Sequence, residues 1–170
     1  MRRRSPVVLL ACLWLIAGWG CGPGPNLATD LKFVPTMSGY YDDGITPDKL
    51  NRLLPSITFK LKNEGQLPMT NVDLALAYWE VGADGEVDSK QVRGIGNDAL
   101  APGTMTEDIT VRSSVGYTSP APRAEFFTNS QFKGFLVKVF AKRSGKTIRL
   151  GEFPIEARLL PAARRGGSHP

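Results

Sequence analysis

Cysteine occurs only twice in the 170 residues, at Cys12 and Cys21, and is missing from the 149 that follow. That excludes a disulfide framework or a thiolate metal site in the body of the chain. Histidine occurs once, at His169, next to last and just after Gly166-Gly167-Ser168. A Ser-His-Asp triad and a histidine metal cluster therefore lose their usual parts. Charge of one sign is lacking as well. The formal +5 comes from Arg2, Arg3 and Arg4 at one end and Arg164 and Arg165 at the other, and the remaining 16 basic residues balance 16 acids. A body so balanced has no electrostatic footprint for nucleic acid or for acidic substrates. Long apolar runs are also missing: the longest mostly apolar stretch, residues 7–20, has 14 residues, whereas a spanning helix needs roughly 20.

The amino-terminal pattern is informative. Arg2 to Arg4 precede that apolar stretch, and Gly18, Gly20, Gly22, Pro23, Gly24 and Pro25 break up its far end. This is the charge, apolar run and small-residue border of a signal peptide, assigned to residues 1–20. Cys21 stands at the border. Cys12, preceded by Leu9-Leu10-Ala11, would leave an apolar region of only about five residues, short for such a leader. The stretch Ala17-Gly18-Trp19-Gly20-Cys21 resembles the lipobox of bacterial lipoproteins. In that family the cysteine sulfur receives a diacylglycerol, the leader is cut before it, and the new amino terminus is usually acylated. The resemblance implies a lipid on Cys21, a linker over residues 21–29, and a protein held at a membrane in the bacterial envelope, on the periplasmic side or at the cell surface. Each buried methylene contributes about 0.8 kcal/mol, so one chain holds marginally and two or more hold stably. Secretion with cleavage after Gly20 and an uncleaved anchor are the alternatives.

Residues 30–161 are expected to fold as one domain, which their number allows. Their apolar periodicity is two, the strand signal. Leu31 and Phe33 flank Lys32. Ile57, Phe59 and Leu61 alternate with polar residues, as do Val72, Leu74, Leu76 and Tyr78. Met105, Ile109 and Val111 follow, then Phe135, Val137 and Val139, then Ile148 and Leu150. One wet and one buried face per strand is the antiparallel habit. Asn63-Glu64-Gly65, Asp84-Gly85, Pro102-Gly103 and Ser144-Gly145 fall between these runs as turns. The inward phase shifts from Ile148 and Leu150 to Phe153 and Ile155, so a bulge is expected at Gly151. Thr46 as cap, Pro47 at the first helical position, and Leu50, Leu53 and Leu54 before Pro55 predict one short helical insertion. About seven strands with such turns predict an all-β, immunoglobulin-like antiparallel β-sandwich, with a closed barrel as the alternative. Residues 162–170 are too polar and glycine-rich to fold and are expected to be a disordered tail.

Residues 57–111 also resemble the immunoglobulin-like FxLYD modules of bacterial surface proteins. The likeness lies in Lys62-Asn63-Glu64-Gly65, in Ala77-Tyr78-Trp79-Glu80 before Asp84-Gly85, and in Leu100-Ala101-Pro102-Gly103. Trp79 and Glu80 stand where that family has Tyr-Asp. The resemblance implies a non-catalytic module with an unspecified ligand.

Trp79, Leu136 and Phe140 are out of phase with the inward residues of their runs. If those strands are neighbours, the three residues form one external apolar patch with Ala75 and Ala77, a possible partner surface. Cover by the helix near Leu50 or by the 113–133 segment is the competing expectation. Tyr40-Tyr41-Asp42-Asp43-Gly44 lacks calcium-loop spacing and is expected to be a solvated turn. Glu107 and Asp108 are adjacent, so on a strand they point to opposite faces and cannot share a glycosidase site. The 113–133 segment, with Ser119-Pro120-Ala121-Pro122-Arg123 and then Phe126-Phe127, is expected to dock its aromatics on the domain, with ligand contact as the alternative. No catalytic constellation, metal site or cofactor is expected. The sequence reads as a lipid-anchored, non-enzymatic envelope protein: a protein-interaction module or, alternatively, a carrier of a small molecule or glycan.

Overall fold

The computed structural model describes residues 24–161. The signal peptide, Cys21 and the tail from residue 162 lie outside the described residues. A single helical turn, α1 (Leu27–Asp30), leads into strands β1 (Leu31–Ile45), β2 (Asn51–Asn63), β3 (Val72–Glu80), β4 (Glu86–Ile95), β5 (Ile109–Arg112), β6 (Tyr117–Ser119), β7 (Phe135–Arg143) and β8 (Lys146–Pro154). A 3-10 helix, Arg123–Thr128, lies between β6 and β7. One sheet runs β1-β2-β5, with β6 pairing β2 beyond β5, and the other runs β4-β3-β7-β8. All named strand pairs are antiparallel. Two separate sheets facing one another make a sandwich, not a closed barrel.

Period-two patterning explains the core. Phe33, Ile57, Phe59 and Leu61 from one sheet meet Leu74, Leu76, Val137 and Val139 from the other, and all are buried. The Phe33 ring lies 4.4 Å from Phe59 and 4.6 Å from Phe153, which crosses from the opposite sheet. Tyr78 spans the layers: its hydroxyl donates to the Val111 carbonyl at 3.0 Å. Burial, with the nearby charge of Asp88 second, pushes that hydroxyl's pKa up and keeps it a donor. Ser144 and Gly145, at φ +49° and +78°, give the β7–β8 hairpin the primed turn its twist demands. In β8, Val139 pairs Gly151 while Phe140 pairs Arg149. The extra residue restores the inward phase, as the sequence predicts.

The helix expected from Thr46 to Pro55 is absent: residues 46–50 form a turn, and Asn51 to Pro55 begin strand β2. Thr46 caps a turn instead. Its hydroxyl accepts from the Leu50 N–H at 3.2 Å, its carbonyl accepts from the Lys49 N–H at 2.9 Å, and Lys49 turns to φ +61°. Strand pairing against both β1 and β6 at this end offers Leu53 and Leu54 more burial than one exposed helical turn could. Pro55 sits in the middle of β2, a place normally closed to proline. The ladder explains why it is tolerated. Its carbonyl accepts from Ser113, and its ring nitrogen therefore faces the same side, into the gap between β5 and β6 where no ladder donor is required.

Three further expectations are corrected. Tyr40 to Gly44 belong to β1 and not to a solvated turn, with Tyr40 fully buried. Met105 is 48 % exposed, so the β5 pattern begins only at Ile109. Leu27, in the region read as linker, is buried in the core. The Asn26 side chain caps α1 through the Ala28 N–H at 3.1 Å.

Candidate functional site

The long axis of the sandwich gives it two poles. At one, Leu31, Asn63, Val72, Ile95, Arg143 and Lys146 end or begin strands beside Gly24. At the other lie the β1–β2 turn, the β3–β4 turn, the 3-10 helix and Phe135. The β7 strand between them has nine residues, a span of about 30 Å.

The outer face of the β4-β3-β7-β8 sheet holds the three residues singled out from sequence. In register, Trp79 pairs Leu136, Ala77 pairs Lys138, and Ala75 pairs Phe140. These residues thus form one contiguous row on one face. Pro154 continues the face beside Leu136, and Glu152 beside Lys138. The 113–133 segment does not lie across this row; its β6 portion pairs β2 in the other sheet. Trp79, Leu136 and Phe140 are half-buried and not fully open. The Lys138 ammonium sits 3.6 Å from the Trp79 ring centroid, a cation–π contact. Its stem covers apolar surface while its charge stays wet. The Trp79 indole N–H is buried without an acceptor. The result is an aromatic and cationic strip, not a greasy patch.

A second feature, at the far pole, escapes period-two reading. The 113–133 segment does dock its aromatics, with Phe126 buried. Tyr40 meets Phe127 at 5.3 Å and Phe132 at 5.4 Å, and Tyr117 meets Phe132 at 5.1 Å and Phe135 at 5.6 Å. Burial raises the pKa of the Tyr40 and Tyr117 hydroxyls. Tyr117 donates to Glu80 at 3.2 Å and accepts from the Lys133 N–H at 3.4 Å. Beside this cluster lies an open cavity of 230 Å³ walled by Tyr117, Phe126 and Phe132, with Ser119, Asn129 and Gln131 as polar lining. The signal available in the sequence was the density of aromatics between Tyr117 and Phe135. Their mutual stacking required the fold.

The adjacent carboxylates Glu107 and Asp108 assemble no site. Asp108 accepts from the Thr36 hydroxyl at 3.2 Å, a tie that reaches across β2 from β1 to the residue preceding β5. Among the described residues no group of three histidine, cysteine or acidic side chains stands together as a metal cluster. No helix among them is long and apolar enough to cross a membrane.

No protein-family model matches the chain, and no curated protein matches it. Two solved structures are similar in part. One is a β-glucuronidase of Parabacteroides merdae with glycerol in its active site, at 10% identity and a TM-score of 0.37, over 72% of this chain and 13% of that one. The other is the ligand-binding region of serine-glutamate repeat protein A of Enterococcus faecium, at 11% identity and a TM-score of 0.30, over 73% of this chain and 90% of that one. The chain thus spans a small fraction of the glucuronidase. The sandwich assignment rests on the strand order and pairing described above.

Proposed function

We propose that the protein is a non-enzymatic module tethered to the bacterial envelope by lipid on Cys21, and that it engages another envelope protein through the strip built on Trp79, Leu136 and Phe140. The observation that carries the reading is the register that aligns Trp79 with Leu136 and Ala75 with Phe140 on one face. Half-buried aromatic side chains such as Trp79 and Phe140 suit a protein partner, since interface cores are enriched in aromatics rather than in bulk apolar area. Tethering supplies the mechanism, because confinement to a surface raises the effective concentration of the domain near its partner.

A photo-crosslinking residue in place of Leu136, in the full chain in native envelopes, is expected to trap one partner. Trp79→Ala and Phe140→Ala should abolish that adduct, while the same crosslinker at Thr110, on the outer face of the other sheet, should not form it. Unchanged adducts in both variants would sink the reading.

The cavity beside Tyr117 favours a second reading, a binder of a small molecule or glycan. Aromatic walls with amide and hydroxyl groups suit such a ligand, although 230 Å³ lies under the roughly 300 Å³ at which ordinary ligand pockets begin.

A further inference from the structure

The pole at which the described chain begins carries a cationic cluster. Gly24 lies against the β7–β8 hairpin, in a cleft of 440 Å³ formed by residues 24–27 with Arg143, Ser144, Lys146 and Ile148. A Cβ placed on Gly24 would stand 3.9 Å from an Arg143 guanidinium nitrogen. The Arg143 Nε donates to the Thr70 carbonyl at 2.9 Å, which fixes the guanidinium at this end. Among the described residues, Lys142, Arg143 and Lys146 form no ion pair. Of the other cations near this pole, Lys32 and Lys62 share the single carboxylate of Glu64 and Arg93 pairs Asp73; the one acid beside the cleft, Asp30, accepts from the Asn26 N–H at 2.8 Å. At the far pole Asp42 and Asp43 are paired with Arg123 and Arg52, while Asp48, Asp84, Glu86 and Glu125, around the strand ends and turns, form no ion pair among the described residues. The domain has no net charge, but the unpaired cations of the hairpin stand at the opposite end from these four acids.

Only Gly22 and Pro23 separate Gly24 from Cys21, a reach of at most about 10 Å. A membrane anchor at Cys21 would therefore hold the hairpin end within roughly one Debye length of the headgroups, where basic side chains are attracted to anionic lipid. From this geometry we infer that Lys142, Arg143 and Lys146 form a docking surface for anionic lipid headgroups. They stand the sandwich on the membrane with its cavity and acidic pole facing away. The inference rests on the lipid-anchor reading of Cys21. Attraction near a charged surface favours binding by roughly fivefold per basic residue, so three acting together are enough to orient a neutral domain that the tether already confines.

The test uses the mature lipidated chain in vesicles of phosphatidylcholine, with or without about 30 % phosphatidylglycerol as the anionic component. A single fluorophore is placed through Thr147→Cys at the hairpin or Asp84→Cys at the far pole, with a quencher on the lipid headgroups. Vesicle flotation scores anchoring separately. The expected result is that the chain floats in both compositions, that quenching at position 147 is several-fold stronger than at 84 with phosphatidylglycerol, and that high salt or Lys142→Glu with Lys146→Glu reduces the difference to the level that the tether alone gives in pure phosphatidylcholine. A chain that floats but is quenched equally at both positions, or whose quenching ignores phosphatidylglycerol and salt, overturns the inference while leaving the anchor intact. A chain that does not float overturns both. Salt titration of the wild-type chain keeps the outcome decisive if the double variant folds poorly.

Discussion

Asp88 is the most informative single side chain for stability. It sits on edge strand β4, points inward, and its side chain is only 14% exposed. Its carboxylate accepts from the Ser114 N–H at 2.5 Å, the Ser113 hydroxyl at 2.7 Å and the Ser89 N–H at 2.9 Å. Two of these donors belong to the segment between β5 and β6, so Asp88 stitches the open side of one sheet to the edge of the other. Burial alone would raise its pKa. The bonds from Ser114, Ser113 and Ser89, with the Lys90 ammonium, outweigh burial and hold the carboxyl below its usual range. Asp88→Asn swaps one accepting oxygen for an amide NH2, a donor placed opposite donors. A hydrogen bond to a charged group contributes about 1.5–3 kcal/mol, and water can replace part of that at a partly exposed site, so a loss of about 2 kcal/mol is expected at pH 7. With ordinary urea dependence this lowers the midpoint by about 1 M. The sign with pH follows from the depressed value. The stabilisation is complete above the ordinary carboxylate pKa of about 4 and is lost as pH falls through the lower folded value. In urea melts of both proteins from pH 7 down to pH 3, the deficit of the variant should therefore shrink as pH falls below about 4. A deficit below about 0.5 kcal/mol at pH 7, or one that is unchanged at pH 3, refutes the stitch.

Two other outcomes follow from the same structure. Gly116→Ala should destabilise the domain by about 2–3 kcal/mol, the cost of forcing atoms into packed space, because its Cβ would stand 2.1 Å from the Leu53 carbonyl oxygen; a thermal melt within a degree of wild type would contradict the β2–β6 register. Cys21→Ala should abolish incorporation of labelled fatty acid and shift the protein out of the membrane fraction, and continued membrane fractionation of this variant would contradict the lipid anchor.

The legible part of the fold was the part whose strands alternate. Val72 to Tyr78 and Phe135 to Val139 placed the central strands of one sheet correctly, and from them the shared face of Trp79, Leu136 and Phe140. Strand β4 was not legible, because Asp88 and Lys90 occupy inward positions ahead of the apolar Val92 and Ile95 and break the alternation. Those charges are satisfied by Ser113 and Ser114 from the other sheet, a pairing that no local pattern encodes. The Thr46-Pro47 pair suits a helix start and a tight turn equally, and only the burial available to Leu53 and Leu54 in a strand decides between them. The aromatic cavity wall draws on Tyr117, Phe126 and Phe132 across an irregular segment, where periodicity carries no information.

These misreadings converge on one place. Pro55 removes a ladder donor from the middle of β2, so the neighbouring strand must break there, and it does, into β5 and β6. The released residues 113–116 are then free to turn toward β4, where Asp88 binds them, and Gly116 allows the chain to return close enough for β6 to pair with Leu53. Only after that return can Tyr117 stack beside Phe132 and Phe135 at the far pole. A proline that looks like a helix stop thus sets up the strand break that leads to the cavity. Its position at the pole opposite Gly24 follows from the direction of β2, whose Asn63 end lies beside Gly24 and whose Asn51 end pairs β6 next to the cavity.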